Sequence, residues 1–333
     1  MFELSFIWAG IIAFSVLTYV VLDGFDLGVG ILFPLADGER EKATMMNSIA
    51  PIWDGNETWL VLGGGGLFAV FPLAYAVIMP ALYMPIILML LALIFRGVAF
   101  EYRWRTQRWK PVWDVAFFGG SIVAAFMQGI ALGALVQGIE FADRAYAGGW
   151  WDWLSVFSLL TGFAVVVGYA LLGATWIIMK TEGSLQRRMQ SHAWFLAVGT
   201  LGFIGIVSIL IPFQDPEYFQ RWLSLPGSIF SVLMPGAVLA AAWALFTGLN
   251  AGKDAQPFFA AQSIFVLCFI GIGISFYPNI VPPGLTIVEA AAPDESLRFT
   301  LYGTAVLVPM ILAYTAYAYW VFRGKVNPEE GYH

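Results

Sequence analysis

Four carboxylic acids lie within stretches of sequence that are otherwise strongly apolar. They are Asp23, Asp26, Asp54 and Glu57. The two acids of each pair are three residues apart, so on a helix both members of a pair face the same side. An ionisable side chain at the centre of a lipid bilayer costs about 2.5–3.5 kcal/mol on insertion scales, so each of these acids is a functional candidate.

The supply of positive charge near these acids is small. Fifteen of the sixteen Lys and Arg residues fall in connecting segments, which leaves Arg96 as the one basic residue near the membrane interior. One arginine cannot pair with four acids. We therefore expect some of them to hold a proton, because burial and like-charge neighbours disfavour the ionised form. Such acids form a proton relay, which we predict to be entered from the cytoplasm.

Structural roles are the alternative for each of these residues. The carboxyl groups could cap re-entrant helix ends or accept hydrogen bonds from backbone amides at the neighbouring glycines. Arg96 could neutralise an acid, bind a carboxylate or phosphate of a partner molecule, or extend to the membrane interface. Trp53 and Asn56 lie beside the acids and are predicted to support or orient them, with an interfacial or packing role as the alternative for Trp53.

The apolar stretches predict the elements that position these groups. Hydrophobic residues make up 60% and charged residues 11% of the 333-residue chain, whereas soluble domains are about 45–50% apolar and about 25% charged. Runs of about 20 apolar residues can cross a ~30 Å hydrocarbon core as helices. We predict an all-α polytopic membrane protein, a single integral membrane domain over 1–333, with nine transmembrane helices in two four-helix bundles plus one peripheral helix. The spans are about 6–35, 48–72, 78–100, 113–138, 155–179, 191–212, 228–249, 257–281 and 299–322.

Basic residues of the connecting segments predict the orientation. Twelve lie after the first, third, fifth and seventh spans or in the C-terminal tail, and three lie on the opposite side. Because cytoplasmic loops carry an excess of Lys and Arg, the N-terminus is predicted outside and the C-terminus in the cytoplasm. Both acid pairs then fall in the cytoplasmic half of the membrane. The cytoplasmic set is Arg40, Lys42, Arg103, Arg105, Arg108, Lys110, Lys180, Arg187, Arg188, Lys253, Arg323 and Lys325, and the outer set is Arg144, Arg221 and Arg298.

The sequence offers few ligands for a metal or a haem. The single cysteine, Cys268, excludes an internal disulfide and a Cys₄ zinc site, and is expected to be an inert apolar residue. His192 lies at the start of the sixth span and His333 at the terminus, whereas haem ligation within the membrane requires a histidine at depth. We expect no cofactor or metal bound by this chain alone. A net charge of −6 without a basic tail argues against nucleic-acid binding, and Gln128 and Gln137 are expected to form interhelical hydrogen bonds.

Four segments carry a resemblance to a known family. The segments are DGFDLGVG (23–30), NSIAPIWDGNETWL (47–60), FRGVAFEYR (95–103) and LVPMILAYTAYAYW (307–320). In these segments, and along nearly the whole chain, the sequence resembles subunit II of the bacterial cytochrome bd-type quinol oxidases. The short connection between the sixth and seventh spans and the tripeptide Gly138-Ile139-Glu140 resemble the shorter, cyanide-insensitive branch of that family.

The resemblance implies a haem-bearing partner. In that family, subunit I carries two haem b and one haem d, or a third haem b in its place, together with the quinol site, and subunit II is haem-free. The complex oxidises quinol at the outer face of the bacterial inner membrane and reduces O₂ to water with cytoplasmic protons. The family's interfacial proton-path carboxylate corresponds to Asp54, and its first-helix acids correspond to Asp23 and Asp26. A structural quinone, small single-helix accessory subunits and membrane lipid are further expected partners.

Two other functional classes are compatible with buried acids in a membrane protein. One is a proton-coupled secondary transporter, which would show substrate-dependent proton flux with this chain alone. The other is a purely structural scaffold for a catalytic partner, in which neutralising Asp54 would leave turnover intact. The proton-path hypothesis predicts a severe loss of oxygen reduction in the same variant.

Overall fold

A computed structural model describes residues 3–225 and 227–326, and nearly all of them lie in helices connected by short loops. His333 lies outside the described residues. The helices are α1 (Leu4–Leu32), α2 (Gly38–Asn47), α3 (Trp53–Val70), α4 (Pro72–Ala81), α5 (Tyr83–Arg105), α6 (Lys110–Gln137), α7 (Val156–Lys180), α8 (Gly183–Leu210), α9 (Pro216–Leu223), α10 (Gly227–Asn250), α11 (Gln256–Phe276), α12 (Ile287–Ala290) and α13 (Asp294–Val321). Single 3₁₀ turns follow α1 (Phe33–Leu35) and α8 (Ile211–Phe213). The strands are β1 (Phe141–Ala142) and β2 (Ala145–Tyr146), which form one antiparallel hairpin, and β3 (Asn279–Val281) and β4 (Leu285–Thr286), which form another.

Eight of the described helices are long and apolar enough to cross a membrane, namely α1, α5, α6, α7, α8, α10, α11 and α13, so the all-helical membrane architecture is confirmed. The predicted span 48–72 is the helix α3, which has 18 residues and is therefore about 27 Å long. It is less apolar than the other eight because its first turns contain Asp54, Asn56 and Glu57. That α3 crosses the membrane stays a prediction.

Several predicted boundaries differ from the structure, and three of the differences have a clear physical reason. Helix α8 begins at Gly183 rather than at 191, because its first turns are polar and Ser184 and Arg188 both donate hydrogen bonds to Glu41. Helix α11 ends at Phe276 rather than at 281, because the residues after it pair as β3 with β4. Residues 73–77, predicted to connect two spans, lie within α4, whose first position is Pro72, where a proline is favourable in a helix.

The core is organised around a close crossing of α1 and α7. A Cβ atom at Gly28 would overlap the backbone of Tyr169, and one at Gly173 would overlap the backbone of Gly28. The two helices therefore approach backbone to backbone, which small residues allow in membrane proteins. On the same pair of helices, the rings of Phe25 and Trp176 stack with their centroids 4.2 Å apart.

Ion pairs fix α2 at the end of the molecule that we predict to be cytoplasmic. The fully buried Arg103 of α5 donates to Glu39 of α2 at 2.9 Å and to Asp114 of α6 at 2.5 Å. Lys42 of α2 also donates to Asp114, at 2.7 Å. Because only five residues separate α2 from α3, this network also fixes where α3 begins.

At the opposite end, the connections are the two hairpins and the short helix α12. Thr286 and Glu289 form a reciprocal capping box at the start of α12. The hydrogen bonds from the Thr286 side chain and backbone hold the pKa of Glu289 below its usual value, because they favour the carboxylate. Trp8 near the start of α1 donates to the carbonyl of Leu297 at 3.0 Å, which connects α1 to α13.

The α1–α7 crossing gives a prediction about stability. Gly173→Ala places a Cβ against the Gly28 backbone, so the helices must separate, and we expect a loss of roughly 1–3 kcal/mol or more. Gly119→Ala on α6 is the matched control, since no atom lies within 4 Å of its added Cβ. Thermal unfolding of the two variants in detergent measures the difference, and equal midpoints would contradict the close crossing.

Candidate functional site

Three of the four predicted acids surround the guanidinium group of Arg96. The shortest distances are 3.9 Å from Nη2 of Arg96 to Oδ1 of Asp23 and 3.9 Å from Nη1 of Arg96 to Oε2 of Glu57. The side chains of Arg96, Asp23 and Asp26 are fully buried, and that of Glu57 is 26% exposed. The alternative that Arg96 extends to the membrane interface is therefore wrong, because its charge lies among the acids of α1 and α3.

Aromatic rings and a glycine hold Arg96 in this position. The rings of Trp53 and Phe100 stack at 4.7 Å and are nearly parallel, and the Arg96 Cζ lies 5.8 and 5.6 Å from their centroids. Cations at these distances from ring faces are attracted by the ring quadrupole. On the other side, α6 approaches α5 at Gly120, where a Cβ would come within 2.6 Å of the Ala92 carbonyl oxygen.

Asn56 connects Asp26 to the last helix. Its Nδ2 donates to Oδ2 of Asp26 at 2.6 Å and to the carbonyl of Leu22 at 3.3 Å. Its Oδ1 accepts a hydrogen bond from the Tyr319 hydroxyl of α13 at 3.0 Å. Asn56 therefore orients the Asp26 carboxyl group, and α13, which is otherwise lightly packed, contributes to the acid cluster.

The cluster contains buried polar atoms whose hydrogen-bonding capacity is not filled by the described part of the chain. They are both carboxylate oxygens of Asp23, Oδ1 of Asp26, and Nε, Nη1 and Nη2 of Arg96. Buried polar groups are almost always paired with protein or ordered water, so these atoms are suited to bind water or to exchange protons. One cation faces three carboxyl groups, and like charges at such distances in a poorly hydrated site disfavour full ionisation.

The fourth acid, Asp54, stands apart from the cluster on the surface of the chain. It is exposed and lines two neighbouring cavities of about 400 and 380 Å³. The first cavity lies between α3 and α13 and also contains Asn56, Tyr319 and Glu101; the second lies between α3 and α5 and also contains Glu57. One exposed carboxylate thus faces two openings, each of which reaches a side chain of the buried cluster.

Sequence reasoning did not single out two residues that the structure places at this site. Glu101 lines the first cavity beside Asp54; it belongs to the segment FRGVAFEYR that carries the family resemblance, but no role was predicted for it. Tyr319 is 263 residues from Asn56 in the sequence, so no local sequence pattern predicts their hydrogen bond. The expectation that Gln128 and Gln137 make interhelical bonds is confirmed, since Gln128 bonds to α1 and α7 and Gln137 accepts from Ser155 before α7.

The described residues contain no group of three or more His, Cys, Asp or Glu side chains arranged to hold a metal ion. His192, the one histidine in the described ranges, is partly exposed on α8.

Comparisons with known proteins converge on one family. The sequence profile described as cytochrome bd terminal oxidase subunit II matches residues 4–322. The chain is 33% identical to the cytochrome bd-I ubiquinol oxidase subunit 2 of Escherichia coli (strain K12), with 98% of this chain and 96% of that protein covered. It is 30% identical to the cytochrome bd ubiquinol oxidase subunit 2 of Bacillus subtilis (strain 168), with 99% of each covered. Its fold matches a chain of the bd oxidase from Geobacillus thermodenitrificans with a TM-score of 0.80 at 16% identity, covering 96% of this chain and 98% of the other.

The position of Arg96 gives a prediction about stability. Arg96→Leu leaves buried acids without their cation, and removing one partner of a buried ion pair typically costs about 3–5 kcal/mol. Arg105→Leu on the same helix is the matched control, because the Arg105 side chain is 77% exposed and its ion pair with Glu101 is a surface pair, worth about 0–1 kcal/mol. Thermal unfolding in detergent should show a large loss for the first variant only, and comparable losses would contradict a balancing role for Arg96.

Proposed function

The chain belongs to the cytochrome bd terminal oxidase subunit II family, and from this membership we propose that it is the haem-free subunit that stabilises subunit I and delivers cytoplasmic protons to it. A subunit of this family is part of a quinol oxidase complex, an oxidoreductase, in the bacterial inner membrane. The partner subunit would hold the haems, expected to be two haem b and one haem d or a third haem b, and these would supply the electron transfer to O₂.

One observation carries the proton-path proposal. Asp54 is exposed on the surface of the isolated chain, and it lines both cavities that reach the buried acids. A carboxylate walled off from water and from any partner could not pass protons between them. At this position Asp54 can receive a proton from the cytoplasmic side and exchange it with a group on the partner or with the buried cluster.

The buried acids offer two short routes inward from Asp54. Through the second cavity the route passes Glu57, which lies one turn further along α3 and 3.9 Å from Arg96. Through the first cavity it passes Asn56 and Tyr319, which lead to Asp26. The route through Glu57 consists of groups that gain and lose protons, whereas Asn56 can only orient its neighbour. We therefore assign proton transfer to Asp54, Glu57, Asp23 and Asp26, and positioning to Trp53, Asn56 and Arg96.

The direction of proton uptake determines how such an oxidase conserves energy. Quinol oxidation at the outer face releases protons there, and reduction of O₂ to water consumes protons drawn from the cytoplasm. A path that opens only on the cytoplasmic side makes each turnover move charge across the membrane. The acid cluster lies near the end of the molecule that carries the basic residues of the Arg103 network, consistent with a cytoplasmic opening.

The proposed topology completes this arrangement. Nine spans, the eight long helices together with α3, place the N-terminus outside and the C-terminus in the cytoplasm. In the proposed grouping of two four-helix bundles plus one peripheral helix, α13 is the peripheral helix. In support, no residue is buried in the most apolar stretch of α13, and α13 contacts the rest of the chain mainly at α1 and α3.

Replacing Asp54 tests the proton path directly. Asp54→Asn removes the exchangeable proton while keeping the side-chain shape, so quinol-driven oxygen consumption by the assembled complex should fall at least about tenfold. Haem content, read from the optical spectrum, should be unchanged because this chain is proposed to hold no haem.

Asp294→Asn is the control for this variant, since Asp294 is also an exposed acid but lies at the start of α13, away from the cavities. Its oxygen consumption should match that of the unmodified complex. Full activity in Asp54→Asn would remove the proton-path assignment and favour the scaffold role, and loss of haem would indicate an assembly defect instead.

Cysteine labelling tests the membrane crossing of α3. In a Cys268→Ser background, Arg40→Cys lies before α3, and Ala76→Cys lies after it; both positions are exposed. A membrane-impermeant maleimide added to intact cells with a permeable outer envelope should label Ala76→Cys, and label Arg40→Cys only after the inner membrane is opened. Labelling of both from the same side would contradict the ninth span. Ala147→Cys, in the β1–β2 hairpin region, is the positive control for the outer side.

A further inference from the structure

A second polar chain runs through the core between α1, α6 and α7, and the proton path does not use it. The Tyr169 hydroxyl donates to Oε1 of Gln128 at 2.8 Å, and Nε2 of Gln128 donates to the Tyr19 hydroxyl at 2.7 Å. Tyr19 and Tyr169 are almost fully buried, at 3% and 2% exposure. Three polar side chains from three helices in an apolar core indicate a function beyond packing, since apolar residues of similar size would pack there without polar groups to satisfy.

The chemistry of the amide gives this chain a direction. An amide oxygen only accepts and an amide nitrogen only donates, so Gln128 accepts from Tyr169 and donates to Tyr19. The Tyr19 oxygen is thereby used as an acceptor, and its own O–H hydrogen remains available. Tyr19 lies one turn before Asp23 on α1, on the same helix face, and its hydroxyl interacts with the Asp23 carboxyl group.

The buried carboxyl group of Asp23 requires a hydrogen-bond donor. No donor in the described residues meets hydrogen-bond geometry with either of its carboxylate oxygens, although the side chain is fully buried and the Tyr19 hydroxyl lies nearby. A buried acceptor without a donor, next to a donor whose hydrogen is not otherwise used, defines a pair that meets directly or through one bridging water. Arg96 approaches the same carboxyl group only to 3.9 Å, beyond hydrogen-bond distance.

We propose that Tyr19 is a positioning residue for Asp23: the Gln128–Tyr169 pair holds the Tyr19 hydroxyl so that it donates to Asp23 and favours the carboxylate form of this acid beside Arg96. This deepens the proposed proton path, on which it rests, by giving the acids different shares of the transfer. Asp23 gives up its proton more readily than it would without the Tyr19 hydroxyl, and Glu57 and Asp26 exchange protons with it.

The same arrangement ends the relay at Tyr19. A proton wire requires each member to accept a proton on one side and release one on the other. The amide of Gln128 does neither without losing its normal tautomer, so protons on Asp23 do not continue towards Tyr169. Asp23 faces three other charged or titratable side chains and three hydroxyl groups. The side chains are Arg96, Glu57 and Asp26, and the hydroxyls are those of Tyr19, Tyr169 and Tyr319.

Infrared difference spectroscopy of the purified complex during a pH titration tests this assignment. The Asp23→Asn variant identifies the carboxyl band of Asp23, and the Tyr19→Phe and Gln128→Leu variants remove the donor or its support. Losing a hydrogen bond to a charged group destabilises the carboxylate. In both variants we therefore expect the Asp23 band to shift and its titration midpoint to move to higher pH by roughly one to two units.

Thr161→Val is the matched control. Thr161 of α7 donates to the Gly129 carbonyl of α6 at 2.7 Å, so this variant removes a buried hydrogen bond between the same two helices without touching Asp23. Its Asp23 band should be unchanged, and haem content of every variant establishes that the complex has assembled. An unshifted Asp23 band in assembled Tyr19→Phe, or equal shifts in Thr161→Val, would overturn the proposal.

The band reports the surroundings of Asp23 whether or not protons pass through this chain. Full oxygen consumption in Asp54→Asn would therefore refute the proposed function alone, and an unaltered Asp23 band in Tyr19→Phe would refute the positioning role alone. Under both proposals, turnover of Tyr19→Phe should show a changed pH profile, whereas a merely structural role would lower the rate equally at every pH.

Discussion

A single buried cation among two buried acids and a third, partly exposed acid is the constraint on which the site depends. Arg96 has no exposure and its guanidinium lies 3.9 Å from two carboxyl groups, which is close enough for strong attraction in a poorly hydrated core and too far for a direct hydrogen bond. The interaction holds α1, α3 and α5 together without satisfying every polar atom. An excess of carboxyl groups over cations disfavours full ionisation of the acids, so under the proposed function stability and proton transfer depend on the same residues.

The rest of the fold holds Arg96 and the three acids at these positions. Helix α1 carries Asp23 and Asp26 next to its crossing with α7, where glycines bring the two backbones together. Arg103 joins α2, α5 and α6 and so fixes the start of α3, where Asp54 and Glu57 lie within the first turns. The stacked rings of Trp53 and Phe100 lie against the Arg96 guanidinium. These contacts are between rigid helices, which suits a site whose acids must stay at defined distances.

Much of this arrangement follows from sequence because its signals are local. Apolar runs predicted the long helices, and the three-residue spacing predicted that Asp23 and Asp26 lie on one face of α1. Arg96 was predicted to lie near the acids because it is the one basic residue within the apolar spans. The separation of Asp54 from the other three acids could not be foreseen, because residues three apart on α3 diverge when one turn is buried and the preceding one is exposed. Tyr319, Gln128 and the α1–α7 contact depend on pairings between distant helices, and the helix α4 depends on how 73–77 packs between its neighbours.

The place of Tyr319 in the chain determines when the polar pocket around Asn56 is completed during synthesis. Asp23, Asp26 and Asn56 belong to α1 and α3, whereas the hydroxyl that holds Asn56 comes from α13, 263 residues later in the sequence. During synthesis α1 and α3 therefore enter the bilayer with an incomplete polar pocket, and this pocket is completed only when α13 has followed them. A shortened chain that lacks α13 would leave the Asn56 amide oxygen without this buried partner, which destabilises the pocket.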